Sequence, residues 1–284
     1  MTPFAGLVQD VVRHRELAVG LTRRELSSSF SGSVFGIAWA LLHPLLQMAV
    51  YMLVFTYIFQ VRFGDGVAGG LDDYQSYILS GLLPWMAWAS LLPSACQTVI
   101  NSAALVKQAD FPASVLPMRT TLTTLVPHLV SLAVLMVWIA VRSGGIPWTW
   151  ALLPVALGLN VAAMLGAAYA LGALCVFLRD IKEVLVVFTA MGVFLTPAFY
   201  VPSMMDGLGP TFAWLLALNP FSHVVHVYRD CLFWQGIEHP VSWGVLLGMA
   251  GVLLGAGHRT FRRVRLFFGN FRGTAGRGPV SGWF

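Results

Sequence analysis

The sequence predicts an all-α integral membrane protein. It has six transmembrane helices, both termini cytoplasmic, an amphipathic interface helix at the N-terminus, and a re-entrant or amphipathic outer segment between spans 5 and 6. Three observations carry this prediction. Of 284 residues, 57% are hydrophobic and only 10% charged, with a mean hydropathy of +0.76; a soluble domain averages roughly 25% charged residues. Long apolar runs alternate with short charged or Gly- and Pro-rich stretches. Basic residues are one-sided: of 17 Lys and Arg, only Arg62, Arg142 and Arg229 fall on the outer side of the resulting map. The positive-inside rule places the crowded side in the cytoplasm, so the basic balance reports topology and not nucleic-acid binding. The acids divide evenly between the sides, as they do when they do not set orientation.

The chain divides into a cytoplasmic interface segment (1–32), a six-span domain (33–260) and a basic cytoplasmic tail (261–284). Phe4, Leu7, Val8, Val11 and Val12 recur at helical spacing, with Asp10, Arg13, His14 and Arg15 opposite; this is an amphipathic helix suited to a bilayer surface. Arg23-Arg24-Glu25 form a second charged cluster before the membrane. Span 1 (about 33–60) begins near Val34, is too long for a signal-peptide core, and contains Pro44 as a kink. Span 2 (about 74–100) is broken by Pro84 and Pro93.

The 101–120 stretch, NSAALVKQADFPASVLPMRT, lies between two apolar runs. Asn101 or Ser102 caps a short helix through Lys107, and Pro112 forces Phe111 out of the helical region, stopping it near Asp110. The stretch reads as the place where a soluble partner pushes on the membrane part, or as an ordinary inner loop. Span 3 (about 115–141) carries Pro127-His128 near its middle. Span 4 (about 148–177) places Gly158, Ala162, Gly166 and Ala170 on one ridge that admits a close helix. Arg179-Asp180-Ile181-Lys182-Glu183 is a tight inner turn, and span 5 (about 184–200) ends at Thr196-Pro197.

Residues 201–240 form the outer segment. Thr211–Leu218 is too short to cross. Asn219-Pro220 starts a helix that sets Ser222, His223, His226, Arg229 and Asp230 on one face and Val224, Val225, Tyr228 and Leu232 on the other; Gly236 ends it. Span 6 (about 241–257) carries Gly244, Gly248, Gly251 and Gly255 along one stripe.

Much chemistry is excluded. No Gly-Lys-Ser/Thr pattern exists, the three cysteines have no disulfide or metal spacing, and no soluble domain of roughly 50 residues remains outside the spans. No Asp, Glu, Lys or Arg lies mid-span; the intramembrane polar groups are His43, Gln47, His128 and Asn160. Tyr51, Phe55, Tyr57 and Phe59 on span 1, Trp85 and Trp88 on span 2, then Tyr200, His223, His226, Tyr228 and Arg229 are the candidates to line a channel or touch a substrate. The same rings equally serve as interface anchors.

The order of features resembles the membrane (permease) subunit of the type-2 ATP-binding-cassette polysaccharide exporters, which carry O antigen, capsule and teichoic acid. The likeness runs from residue 17 to 265 and rests on five stretches: TRRELSSSFSGSVFGIAWALLHPLL (22–46), GLLPW (81–85), LVKQADFPASVLPM (105–118), FLRD (177–180) and LNPFSHVVHVYRD (218–230). Ser27-Ser28-Ser29-Phe30 stands where that family has more basic or bulky residues. The resemblance implies a permease of the bacterial inner membrane that is not itself an enzyme. It implies a homodimer with two copies of a cytoplasmic ATPase, which binds the ATP and Mg, and a central channel that exports a lipid-linked glycan. It places Arg23, Arg24, Lys107, Asp110, Phe111, Arg179 and Asp180 at the ATPase contact. This chain itself needs no cofactor or metal. Three other readings stand beside it: export of a small drug or lipid; an integral-membrane enzyme on lipid-linked sugars, using Asp72, Asp73 or His226; and a proton-coupled carrier using His128.

Overall fold

The computed structural model describes residues 3–29, 31–58, 74–106, 111–200 and 209–268. These residues form α1 (Pro3–Ser29), α2 (Trp39–Leu53), α3 (Tyr74–Gln97), α4 (Ala103–Val106), α5 (Val115–Ser143), α6 (Leu153–Leu174), α7 (Ile181–Leu195), α8 (Gly209–Leu218), α9 (Pro220–Leu232) and α10 (Pro240–Phe268). No strand occurs among them. A helix satisfies all its backbone groups internally, which an apolar surrounding demands.

Four helices are long and apolar enough to cross a membrane: Tyr74–Gln97, Val115–Ser143, Trp148–Leu174 and Pro240–Arg265. The remaining two expected spans are shorter as regular helix. α2 has 15 residues and passes into a π-turn at Val54–Ile58, and α7 has 15 residues. At 1.5 Å per residue, 15 residues reach roughly 22 Å, less than the roughly 30 Å hydrocarbon core.

α3 is the central helix: 72% of its apolar window is buried, against 22% for α10. Pro84 and Pro93 do not break it, and α2 likewise runs through Pro44. Each proline removes only one hydrogen bond and one neighbour's room, which flanking helices compensate. α5 carries Thr120, Thr121, Thr123 and Thr124, whose hydroxyls donate back to carbonyls four residues earlier; a polar row thereby sits in an apolar helix without unmet donors.

The Gly166 position on α6 is the contact with α10. A Cβ there would collide with the Leu253–Leu254 backbone, and a Cβ on Gly257 would collide with the Gly166 carbonyl. The expected ridge therefore works within one chain. On α10 the packing position is Gly257; Gly244, Gly248 and Gly251 meet nothing within 4 Å.

α1 is a single helix of 27 residues that contains Arg23, Arg24 and Glu25, not a short helix followed by a separate cluster. Its contact stripe is Ala18 and Thr22, both buried, whereas Val12 is 56% exposed. Glu25 pairs with Arg119 of α5 at 2.7 Å, and His258 of α10 donates from Nε2 to Asp10 at 3.3 Å. α10 continues to Phe268, so the boundary drawn at 260 falls inside a helix whose Phe261 is fully buried.

α9 starts where Asn219-Pro220 predicts. The Asn219 side chain accepts from the Phe221 N–H, and its own amide donates to Leu195 O at 2.8 Å. The helix stops at Leu232, earlier than Gly236, and the left-handed residue is Gln235 with φ of 55°.

Candidate functional site

Between α2, α3, α5 and α7 lies a cleft of about 410 Å³. Its polar wall is His43, Gln47, Ser90, Thr124, His128 and Ser131; its aromatic wall is Tyr51 and Trp85. Among the described residues that line it there is no Asp, Glu, Lys or Arg. A second cleft of about 440 Å³ follows at the end of the bundle where α1 lies, and Ser90 and Thr124 belong to both. Gln97, Asn101 and Thr123 line this second cleft, with Glu25, Arg119 and Lys182 as its charges among the described residues. The two together make one groove, neutral and hydroxyl-rich inside and charged at its mouth.

Behind the neutral cleft runs a buried chain of hydrogen bonds whose polarity follows from chemistry. The Trp88 indole N–H can only donate, so the Asn160 oxygen must accept it, at 2.9 Å. The Asn160 amide then donates to the Tyr228 hydroxyl at 3.1 Å. Tyr228 and His128 Nε2 stand 2.9 Å apart. With its oxygen already accepting from Asn160, Tyr228 satisfies its proton by donating to Nε2 of a neutral His128. Four elements, α3, α6, α9 and α5, meet in this chain. Sequence reading singled out each residue but had no signal for their meeting, because the bonded partners lie 68 to 100 positions apart.

The other end of the bundle holds a second network. Arg229, 1% exposed, donates to Ala198 O at 2.8 Å and lies over the Tyr77 ring at 3.6 Å. Gly81 makes the room, since a Cβ there would press on the guanidinium and on Val225. Asp230, fully buried, accepts from Trp243 Nε1 at 3.0 Å and from both the backbone and the Nδ1 of His239. His226 stacks on His239 at 4.2 Å. His223 donates from Nε2 to Ala217 O, leaving Nδ1 to accept from Ser242. The polar face of α9 is thus turned inward, with His223, Arg229 and Asp230 hydrogen-bonded, His226 held by stacking, and the Ser222 hydroxyl buried without a partner among the described residues. Burial, the neighbouring His239 and Arg229 together push His226 down to about 2.

The expected channel residues separate in space. Tyr51 and Trp85 line the neutral cleft. Trp88, Tyr228 and Arg229 lie in the interior of the chain with the partners given above, while Tyr57 is 74% exposed. Phe55 stacks on Phe199 at 4.7 Å, and Tyr200 donates to Phe194 O. Phe59 falls outside the described residues, as do Asp72 and Asp73. Of the expected ATPase contacts, Arg23, Arg24, Arg179 and Asp180 are exposed and Phe111 is half-buried; Lys107 and Asp110 fall outside the described residues. The turn before them is described: α4 begins after Ser102, whose carbonyl accepts from Leu105 and Val106.

A groove through a bundle of apolar helices is transporter architecture, and the family comparison decides which. Residues 17–233 match the ABC-2 type transporter family. The chain belongs to the ABC-2 type transporters. It is similar to the O-antigen export system permease protein RfbA of Myxococcus xanthus, at 26% identity over 260 residues, covering 91% of this chain and 96% of that protein. Two proteins of the same description from Klebsiella pneumoniae are each 24% identical over 259 residues, covering 89% of this chain and 93% of theirs. This ABC-2 chain is a multi-pass protein of the inner membrane and a transporter component.

Proposed function

We propose that this chain is the permease half of an ATP-driven exporter that moves a lipid-linked cell-surface polysaccharide across the inner membrane. It works as a homodimer with two copies of a separate ATPase, which holds ATP and Mg. The observation that carries the reading is the uncharged cleft of about 410 Å³, walled by hydroxyls, amides, imidazoles and the Tyr51 and Trp85 rings. Sugars offer hydroxyls to polar walls and C–H faces to rings, and they need no buried counter-charge. The O-antigen permeases that this chain matches along nearly their whole length support the same substrate class.

The proposed topology has six spans, with α2 and α7 as the first and fifth, and both termini cytoplasmic. α1 lies in the cytoplasmic interface, residues 33–260 hold the spans, and 261–284 are the tail. α8 and α9 form the outer segment. The exposed Arg23, Arg24, Arg179 and Asp180, with Phe111, Lys107 and Asp110, receive the ATPase. Closure of the ATPase dimer on ATP then moves the 101–112 segment, and with it α2 and α7.

Purification from native membranes in mild detergent tests this directly. A co-eluting partner with a Walker motif, ATP hydrolysis by the complex, and loss of surface glycan on gene deletion are the expected results. A chain that elutes alone and without ATPase activity in several detergents rules the reading out. Unchanged glycan with raised drug sensitivity moves it to small-molecule export.

A further inference from the structure

The geometry points to a phosphate-binding site at the mouth of the groove, built by Lys182 and Arg119 and gated by Glu25, that takes the phosphate headgroup of a lipid carrier. This rests on the exporter reading above and adds to it where the anionic end of the substrate is held.

Charge placement is the first argument. Among the described residues, two cations and one anion line the 440 Å³ mouth, and none lines the 410 Å³ cleft beside it. Within that set, an anion in the groove finds its countercharge at the mouth. The side chains around those cations are of the kind that completes a phosphate shell: Asn101 and Gln97 offer amide N–H groups, and Thr123 offers a hydroxyl.

The second argument is the state of each cation. The Arg119 side chain is 14% exposed and forms an ion pair with Glu25, Nε to Oε2 at 2.7 Å. A guanidinium has five donors in a fork that matches phosphate oxygens, so one carboxylate contact leaves capacity for an anion in the cleft. Lys182 stands 3.8 Å from Glu183, whose side chain is 74% exposed. Water screens such a pair almost completely, and a phosphate displaces it at little cost. Lys is a point charge on a flexible stem, suited to closing over a bound headgroup. Glu25 acts in the opposite sense, because it holds Arg119 and places a like charge beside any arriving phosphate. Glu25 belongs to α1 and Lys182 to α7, so a headgroup bound here bridges the interface helix to a span beside the neutral cleft.

The test is binding of farnesyl phosphate to the full-length protein in nanodiscs of uncharged phosphatidylcholine, with farnesol and inorganic phosphate as comparisons. Farnesyl phosphate should bind, and farnesol should bind at least about tenfold more weakly, the weight of one charge-assisted hydrogen bond. Lys182→Gln should weaken farnesyl phosphate by about tenfold, whereas Glu25→Gln should tighten it. Opposite signs are the signature, since simple loss of fold lowers both. Lys182 is solvent-accessible, so K182Q keeps the test independent of the folding of an Arg119 variant. Competition by millimolar inorganic phosphate assigns the site to the free anion; failure to compete assigns it to the lipid headgroup. Equal binding by farnesol, or the same affinity in wild type, K182Q and E25Q, overturns the site. Surface glycan separates the two readings. If gene deletion abolishes it and K182Q retains it in full, the phosphate site falls and the exporter stands. If deletion leaves it unchanged, the exporter reading falls whatever the binding result.

Discussion

Asn160 is a hinge in the chain of buried bonds, since it serves Trp88 with its oxygen and Tyr228 with its nitrogen. Asn160→Leu leaves the buried Trp88 N–H without its acceptor, which costs about 1–3 kcal/mol, and removes one of the two bonds of Tyr228. The expected outcome is a clearly lower melting temperature in detergent, read by loss of the monodisperse peak after heating. Tyr228→Phe should do the same, and the double variant should cost less than the sum, because the two share a bond; strict additivity would show that the chain does not act as a unit. His226 sets a pH dependence of known sign. Its folded value, about 2, lies below the roughly 6.5 of a free imidazole. The unfolded chain therefore takes up a proton that the folded one refuses. Its contribution to stability is complete above about pH 6.5 and declines as pH falls below it, by up to roughly 1.4 kcal/mol per unit. Comparing melting at pH 7.5 and pH 5.0, His226→Gln should show a shallower loss than wild type. Parallel losses would place the acid sensitivity elsewhere.

Among the elements, the α6–α10 pair depends on two glycines. Gly166 and Gly257 approach until neither backbone leaves space for a methyl group. Gly257→Val should separate the helices and abolish folded protein, while Gly248→Ala, with nothing within 4 Å, should stay within about 0.5 kcal/mol of wild type. Expression and detergent melting of the two variants side by side check this, and a folded, stable G257V would show that the contact is not needed. Gly192 plays the same part between α7 and α3, where a Cβ would strike the Trp85 ring. Trp85 and Trp88 of α3 meet Phe221 of α9 at 5.4 and 5.2 Å, and Phe188 of α7 closes the group at 5.8 Å. Edge-to-face rings of this kind add about 0.5–1.5 kcal/mol per pair beyond their burial. The central span is therefore clamped to α7 and α9 by the same aromatic residues that a linear reading assigns to a channel.

At the scale of the whole molecule, the cleft between α2, α3, α5 and α7 is neutral among its described residues, and the adjoining cleft carries the charges. A neutral wall lets a polar chain slide without a deep electrostatic well, since isolated charges in a low-dielectric surrounding bind strongly and release slowly. In the proposed coupling, the ATPase acts on the surface that carries the exposed Arg23, Arg24, Arg179 and Asp180. The double substitution Lys107→Glu with Phe111→Ala should cut transport and retention of the ATPase at least about tenfold, and leave membrane insertion intact. Full surface glycan in that variant would sink the coupling proposal.

Composition, hydropathy and the one-sided distribution of Lys and Arg were enough to declare a helical membrane protein, because solvent preference acts on each residue separately. Local chemistry was equally legible: Asn219-Pro220 starts α9, since a cap involves only near neighbours, and the Gly166 ridge admits a close helix. Other local signals misled. Pro84 and Pro93 marked a break in α3 that does not occur, and Gly236 marked an end that α9 reaches earlier. At the prolines, packing of α3 against its neighbours outweighs an intrinsic preference of a few kcal/mol. Sequence reading offered His223, His226 and Arg229 of α9 to a channel or substrate, yet Arg229 and its neighbour Asp230 are buried because Tyr77, Ala198, His239 and Trp243 come to meet them. The pairing of Arg119 with Glu25, the four-helix meeting at Tyr228 and the alignment of two clefts through Ser90 and Thr124 belong to the tertiary structure alone. They join residues far apart in the chain, and only the packed bundle brings those residues within reach of one another.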